Sequence, residues 1–249
     1  MPILLRRDLT VALPNKELCV LVFPRCGFCL PWLLTLALTG CIGPTATQQA
    51  LHGLPERVEL TGVPAFPERA YWGAPSALSS LLVQQGVDSS PGMLVKQLQL
   101  PVQEQQLEQN ILKQINANGL LAYPLGPHLE DLLKQVAAGY PVLVRFNDGY
   151  SWMGMPRYAV LIGYDREEQT LLLRAGNNKR WETGFSSFSS NWESAGNWAV
   201  LVLAPLQLPA QVDAQRWLQA ADALEHAGQA TAAANARKVL QRRSAVAKP

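Results

Sequence analysis

The sequence predicts an α+β domain, in which helices come first and antiparallel strands follow. In the first half of the chain, apolar residues recur every three or four positions, as in residues 103–118. In the second half, the apolar runs 158–164 and 170–174 flank a short polar turn, which indicates a hairpin. After Val212 the chain is rich in alanine and has a helical period again, so we expect a helical hairpin at this end.

The composition is that of a globular protein. The chain has 249 residues, of which 48% are hydrophobic and 16% are charged, a balance typical of a folded domain. The net charge is +2, and no basic stripe indicates a nucleic-acid partner. All four cysteines lie in the first 41 residues. The chain after Cys41 therefore has no thiol to form a disulfide, ligate a metal or act as a nucleophile, and we expect no metal or cofactor.

The first 41 residues have the pattern of a secretory signal. An apolar run over 26–38 follows Arg25 and is too short for a comfortable membrane span. It leads into Leu38-Thr39-Gly40-Cys41, which resembles the bacterial lipobox, whose cysteine is lipidated and becomes the mature N-terminus. The resemblance implies a lipid anchor at Cys41. Because Ile42 replaces the aspartate associated with inner-membrane retention, it also implies the periplasmic face of the outer membrane. An ordinary cleaved signal and an uncleaved anchor are the alternatives.

Four parts are predicted along the chain: a signal over 1–41, a polar tether over 42–59, the main domain over 60–205 and a tetratricopeptide-like helical hairpin over 206–249. In the hairpin, Trp217 and Leu224 share one helix face, and Ala227-Gly228 breaks the helix. A single helical hairpin cannot bury its own apolar face well. We therefore expect this hairpin to pack on the main domain or on a partner.

The main domain begins with a short extended segment and an aromatic-Gly-Ala-Pro corner that leads into an apolar helix, with Gly86 placed to end it. Ser90 and Pro91 fit the N-cap and the first position of a second helix. Eight more elements are predicted, in chain order: a helix over 103–118, a strand over 120–125, a helix over 129–138, a strand over 142–146, the two hairpin strands given above, a short helix within 181–192 and a strand over 197–204.

The stretch 63–82 is the type of corner at which many enzymes hold a nucleophile. A helix N-terminus offers free N–H groups and the positive end of the helix dipole, which stabilise negative charge. Here the corner carries Gly73 and Ala74 and no thiol. Ser76 is the nearest hydroxyl, and a serine needs an adjacent base. The chain has three histidines: His52, His128 and His226. A Ser76–His128 couple is therefore the hydrolytic alternative.

Three stretches together carry a family resemblance. The sequences VPAFPERAYWGAPSALSSLL, LAYPLGPHLEDLLKQVAAGYPVLVRF and MPRYAVLIGYD occur in this order and resemble the papain-like peptidases that cleave double-glycine leader peptides in bacteriocin export. The resemblance covers roughly 60–204, and it is closer to a lipoprotein branch with a C-terminal helical repeat. It implies a papain-like fold with N-terminal helices and an antiparallel sheet. It also implies a cysteine nucleophile, a histidine, an orienting acid or amide and an oxyanion glutamine.

The family's catalytic positions carry other residues in this chain. Gly73 stands at the nucleophile, Glu68 at the oxyanion glutamine and Arg157 at the histidine. A carboxylate repels a developing oxyanion, and arginine cannot act as a base at neutral pH. The third position falls near 174–178, where Ala175 is a candidate. The resemblance therefore predicts a catalytically degenerate domain. Glu68 and Arg157 either form an ion pair across the cleft or point to solvent.

Aromatic residues flank the expected cleft. Tyr71 and Trp72 lie on one side, and Asp148 and Trp152 lie in a loop on the other. Such residues can bind a peptide, or they can simply pack at the rim. The sequence favours a non-enzymatic protein that binds a peptide or an envelope protein and is attached to the membrane through Cys41. A working hydrolase and a structural adaptor acting through the helical tail are the alternatives.

Overall fold

A computed structural model describes residues 53–68, 73–148 and 155–246. These ranges contain seven α-helices and seven β-strands. The helices are α1 (Ala74–Gln84), α2 (Pro91–Gln97), α3 (Glu104–Ala117), α4 (Leu129–Ala137), α5 (Phe185–Ser194), α6 (Ala214–His226) and α7 (Ala230–Val246). The strands are β1 (Arg57–Glu59), β2 (Leu121–Pro124), β3 (Val142–Asp148), β4 (Met155–Asp165), β5 (Thr170–Ala175), β6 (Asn178–Gly184) and β7 (Ala199–Leu203). The predicted signal, Cys41 and His52 lie outside the described residues.

All seven strands belong to one antiparallel sheet. Its order is β2-β7-β3-β4-β5-β6, and β1 pairs with the C-terminal end of β4. Three helices precede the main part of the sheet, and a helical hairpin follows it. The predicted α+β class, with N-terminal helices, an antiparallel sheet and a C-terminal helical hairpin, is confirmed.

The sheet is buried on both faces, and each face has its own hydrophobic core. Successive side chains of a strand point to opposite faces: Leu143 and Val160 contribute to one core, and Val144 and Leu161 to the other. Helices α1, α2 and α3 cover the first face, where Leu78, Leu94, Leu107 and Ile111 are buried. Helices α4 to α7 cover the second, where Leu133, Trp192, Trp217 and Ala236 are buried. Helices on both sides therefore hold the central strands, including β4, in place.

Sequence reasoning missed two strands, β6 and β1. The short helix within 181–192 begins only at Phe185, because residues 178–184 form the edge strand β6. Most of β6 is charged or exposed, so it lacks the apolar alternation by which a half-buried strand is identified. The tether predicted over 42–59 includes Arg57–Glu59, which pairs with β4 as β1. A strand of three residues is too short to establish a period in the sequence.

The C-terminal hairpin packs on the main domain, as expected. Trp217 is fully buried, and its ring centroid lies 6.0 Å from that of Tyr123 in β2. The Tyr123 hydroxyl accepts a hydrogen bond from the Asp213 N–H at 3.0 Å, and the side chain of Gln229 donates to the carbonyl of Ala117 in α3 at 3.1 Å. The hairpin thus covers the β2 edge of the sheet and shares a core with the domain. No helix in the described ranges has both the length and the apolar character needed to span a bilayer.

Tyr164 in β4 gives the first testable prediction. Its side chain is fully buried, and its hydroxyl has no hydrogen-bond partner among the described residues. Burial also raises its pKa. Because an unpaired buried hydroxyl is costly, we expect Tyr164→Phe to raise the free energy of unfolding by about 1 kcal/mol. The measurement is urea denaturation followed by circular dichroism.

Tyr123→Phe is the matched control, because it removes a hydroxyl that does accept a hydrogen bond. The free energy of unfolding of Tyr123→Phe is expected to be about 1 kcal/mol lower than that of the wild type. Equal losses in the two variants would contradict the prediction.

Candidate functional site

The structure brings together the three positions that the sequence assigned to the degenerate site. Gly73 is the N-cap of α1, Arg157 lies near the start of β4, and Glu68 lies on the segment that precedes α1. The nearest oxygen of Glu68 is 2.7 Å from Arg157 Nη2. The same oxygen is 3.4 Å from the point where a Cβ atom on Gly73 would lie. The three residues therefore share one cleft between α1 and the start of β4.

Gly73 has a backbone conformation that disfavours other residues. Its φ is +79° and its ψ is −2°, in the left-handed region, which costs an L-residue with a side chain about 1–2 kcal/mol. A Cβ atom at this position would also lie 2.9 Å from the backbone carbonyl oxygen of Tyr158. That oxygen belongs to β4 and cannot move away alone. No side chain fits at position 73 without a shift of the backbone.

The predicted ion pair between Glu68 and Arg157 is present, and the solvent-facing alternative is wrong. Arg157 donates from Nη2 to Glu68 at 2.7 Å and from Nη1 to Asp148 Oδ2 at 2.8 Å. Glu68 is the most sheltered of the three, with 19% of its side chain exposed. Burial alone would lower the pKa of Arg157, but the hydrogen bonds and negative charges of Asp148 and Glu68 outweigh it and raise that pKa. Arg157 thus holds the segment before α1 against the end of β3.

Gly176, which sequence reasoning missed, makes room for the ion pair. It lies between β5 and β6 with φ +60°. A Cβ atom there would lie 2.6 Å from Glu68 Oε2 and 2.8 Å from Arg157 Nη2. A signal was available, because Gly-Asn between two strands is a strong turn pattern. Ala175, the candidate for the third catalytic position, pairs with Asn178 in the same hairpin.

Two cavities flank the ion pair. The first, which we name the glycine cavity, has a volume of about 300 Å³ and is lined by residues that include Gly73, Tyr158 and Gly176. The second, the arginine cavity, has a volume of about 510 Å³, and Asp148 and Arg157 are among its lining residues. The two cavities share residues 177–178. The ion pair therefore lies where one cavity gives way to the other.

The Ser76–His128 alternative is not assembled in the structure. Ser76 lines the glycine cavity, and its hydroxyl donates to the carbonyl of Pro67 at 2.9 Å. His128 is exposed, precedes α4 and lines a separate depression beside Trp192. His226 ends α6. Within the described ranges, no group of three or more His, Cys, Asp or Glu side chains is arranged to hold a metal ion.

Of the four predicted binding residues, Asp148 alone is described, because Tyr71, Trp72 and Trp152 fall outside those ranges. Asp148 is already paired with Arg157. Sequence reasoning missed the aromatic wall of the arginine cavity, where Phe146 and Trp181 stack with centroids 5.4 Å apart. These two residues are 35 positions apart in the sequence. They meet only because β3 pairs with β4, β4 with β5 and β5 with β6, and the sequence alone did not indicate this contact.

We expect Arg157→Ala to lower the free energy of unfolding by about 1 kcal/mol, since it leaves the sheltered carboxylate of Glu68 without a partner; the partial exposure of the pair limits the effect. Urea denaturation at neutral pH and low salt measures it. Arg180→Ala is the matched control, because Arg180 also meets two carboxylates, Glu59 and Glu182, but does so at the surface. No measurable change is expected for that control. A loss in the control as large as that of Arg157→Ala would contradict a special role for the cleft pair.

No family model and no curated protein matches the chain. Among solved structures, it is similar to a protein described as a C39-like peptidase from Bacillus anthracis, with 17% identity, a TM-score of 0.49, and 60% of this chain and 98% of that chain covered. It is also similar to the peptidase domain of Streptococcus ComA, a bi-functional ABC transporter, with 16% identity, a TM-score of 0.45, and 57% and 98% covered. Xylellain, a cysteine protease from Xylella fastidiosa, has 12% identity, a TM-score of 0.36, and 63% and 88% covered.

Proposed function

We propose that this protein is a peptide-binding, catalytically inactive relative of the papain-like peptidases that cleave double-glycine leader peptides. The observation that carries the proposal is the backbone of Gly73. The sequence resemblance puts the nucleophile at this position, and a left-handed φ and a carbonyl oxygen 2.9 Å from any Cβ disfavour every side chain there. Covalent catalysis needs a nucleophilic side chain at this corner, and glycine has none.

The other two mapped positions support the same conclusion. Proton transfer needs a group whose pKa lies near the working pH, and Arg157 stays charged. Its guanidinium group forms salt bridges with Glu68 and Asp148. An oxyanion hole needs hydrogen-bond donors, whereas Glu68 supplies a carboxylate. The ion pair replaces a base and a donor by a contact that holds the two sides of the cleft together.

The cleft remains suited to binding. Its two cavities have volumes of about 300 and 510 Å³, within the range of ligand pockets. The arginine cavity has an aromatic wall of Phe146 and Trp181. Aromatic side chains are frequent anchors for peptides. A ligand in the arginine cavity would contact this wall, and a ligand in the glycine cavity would contact the hairpin turn at Gly176.

The lipobox resemblance supports a lipid anchor at Cys41, which would hold the domain at the envelope. Growth of expressing cells with an alkyne-labelled palmitate tests this part. Label on the wild-type protein and its loss in Cys41→Ser support the anchor. Equal labelling of both proteins, or of neither, contradicts it.

The proposal predicts that restoring the family's side chains does not restore activity. We expect the triple variant Glu68→Gln, Gly73→Cys, Arg157→His to show no turnover of a fluorogenic double-glycine peptide. We also expect Gly73→Cys alone to lower the free energy of unfolding by about 2 kcal/mol, because of the left-handed backbone. Gly73→Ala is the control that imposes the same strain without a thiol.

Turnover by the wild-type protein would overturn the proposed function. If that turnover disappeared in Ser76→Ala, the serine hydrolase would replace it. Turnover by the triple variant but not by the wild type would agree with an inactive wild-type protein. It would contradict the prediction that the backbone at position 73 prevents a cysteine there from working as a nucleophile.

A further inference from the structure

We propose that the glycine cavity binds the C-terminal carboxylate of a peptide, with Arg174 and Lys179 as its cationic partners. This inference rests on the proposed function, since it specifies which end of a peptide the cleft receives. Three observations support it: the positive charges that line the cavity, the absence of a salt bridge at Arg174 within the described ranges, and the Glu68–Arg157 ion pair at the end of the cavity.

The charge of the glycine cavity is one-sided. Its described lining residues include two cations, Arg174 and Lys179, and no carboxylate. Glu68 lies at its border, close to Gly73 and Gly176. The charge of Glu68 is already matched by Arg157. An anionic ligand would therefore meet two cations and no free carboxylate among the described residues.

Arg174 is held in place by backbone carbonyls and forms no salt bridge within the described ranges. It is half-buried, and it donates from Nη1 to the carbonyl of Lys179 at 2.7 Å and from Nη2 to the carbonyl of Thr61 at 3.5 Å. Its Nε is buried and has no partner within the described ranges. Burial lowers its pKa, and the negative charge of Glu59, which lies nearby without forming a salt bridge, offsets this only in part. A guanidinium nevertheless stays protonated at neutral pH.

Three other arginines of the chain, in contrast, form salt bridges. Arg157, Arg180 and Arg237 each contact two carboxylates. In residues 53–68, 73–148 and 155–246, Arg174 forms a salt bridge with none. A partly desolvated cation without a carboxylate in direct contact is unfavourable. A carboxylate from a ligand supplies that contact, and the planar guanidinium suits carboxylate geometry.

The position of the ion pair favours a chain end over a continuing chain. A peptide that ran from the glycine cavity into the arginine cavity would have to cross the Glu68–Arg157 contact at Gly176. A peptide that stops in the glycine cavity leaves that contact intact. The cavity is small, about 300 Å³, and Ala65, Phe66 and Ala77 give it apolar walls. These dimensions suit one or two small residues followed by a carboxylate.

The test uses the full-length protein, immobilised in detergent, and two matched pentapeptide libraries. One library has free C-terminal carboxylates and the other has carboxamides, and mass spectrometry measures the amount of each retained. We expect the free acids to be retained about tenfold more strongly, since hydrogen bonds to a charged group are worth about that factor. Arg174→Met should abolish the difference, and Lys179→Met should reduce it.

Arg180→Met is the matched control, because it removes one positive charge next to Lys179 but outside both cavities. Its preference for free acids should equal that of the wild type. Lys179 is exposed, so Lys179→Met keeps the test valid if Arg174→Met does not fold. A preference unchanged in Lys179→Met and in any folded Arg174→Met would overturn the inference.

Asn178→Trp separates this inference from the proposed function. Asn178 is exposed and lines both cavities, so a tryptophan there narrows the cleft at little cost to folding. Equal retention of acids and carboxamides, lost in Asn178→Trp, would keep the peptide cleft and overturn the carboxylate site. Retention of neither library would overturn both. Displacement of the free acids by acetate or phosphate as effectively as by unlabelled peptide would identify a general anion site and overturn the peptide terminus.

Discussion

Replacing Trp217 by alanine is expected to lower the free energy of unfolding by about 4 kcal/mol, the largest effect of any single substitution considered for this chain. The ring is fully buried between the hairpin and the sheet and lies 6.0 Å from the ring of Tyr123. Its Nε1 donates to the carbonyl of Ala236 at 2.8 Å, and this bond joins α6 to α7. The substitution therefore opens a cavity and removes a buried hydrogen bond between the two helices.

Urea denaturation and limited proteolysis of the segment around 205–210 measure this effect. Detachment of the hairpin should make the segment more susceptible to cleavage. Trp217→Phe keeps an apolar ring and loses the hydrogen bond, so its cost should be intermediate. Leu218→Ala is the control, because Leu218 is the next residue and its side chain is 41% exposed. Little change in the free energy of unfolding is expected for this variant. A loss for Trp217→Ala no larger than that of the control would show that the hairpin contributes little to stability.

Gly163→Ala is expected to cost about 3 kcal/mol through overpacking. A Cβ atom at position 163 would lie 2.4 Å from the carbonyl oxygen of Val58 and 3.1 Å from Cα of Glu59, both in β1. The register between β4 and β5 also shifts at this point. Glycine in a strand commonly marks such a close approach of two backbones. The methyl group would have to separate β1 from β4.

Hydrogen exchange is the direct measurement, because the Leu60 N–H donates to the Ile162 carbonyl at 2.7 Å beside the clash. Protection of that amide should fall sharply in Gly163→Ala, together with the urea midpoint. Gly62→Ala is the matched control, since a Cβ atom there meets nothing within 4 Å. Unchanged protection in Gly163→Ala would mean that β1 can shift at no cost.

Much of the fold was predictable because local signals and packing agree. Ser90 caps α2 by accepting a hydrogen bond from the N–H of Met93, and Pro91 occupies the first position, as the sequence indicates. Strand β6 was missed because an edge strand needs no apolar alternation. Strand β1 was missed because its partner lies more than 100 residues away. Both errors concern strands whose existence depends on tertiary pairing.

The candidate site was predictable in its residues but not in its geometry. The resemblance assigned Glu68, Gly73 and Arg157 to one cleft, and opposite charges made an ion pair a reasonable expectation. The left-handed φ of Gly73 and the clearance at Gly176 depend on where other backbone and side-chain atoms lie. Arg174 resembles any surface arginine in the sequence, because its lack of a carboxylate partner is a property of the fold.

The conformation of Gly73 also limits the routes by which this sequence can change over generations. Any amino-acid substitution at this position adds a Cβ atom next to the Tyr158 carbonyl, so it lowers stability before it can contribute a reactive group. A reactive side chain would need a new backbone path at the start of α1 and a new residue at Arg157 in the same lineage. Each step alone is disfavoured. Cavity-lining residues without such a close contact are freer to vary, so the centre of the cleft is expected to stay fixed while the cavity walls diverge.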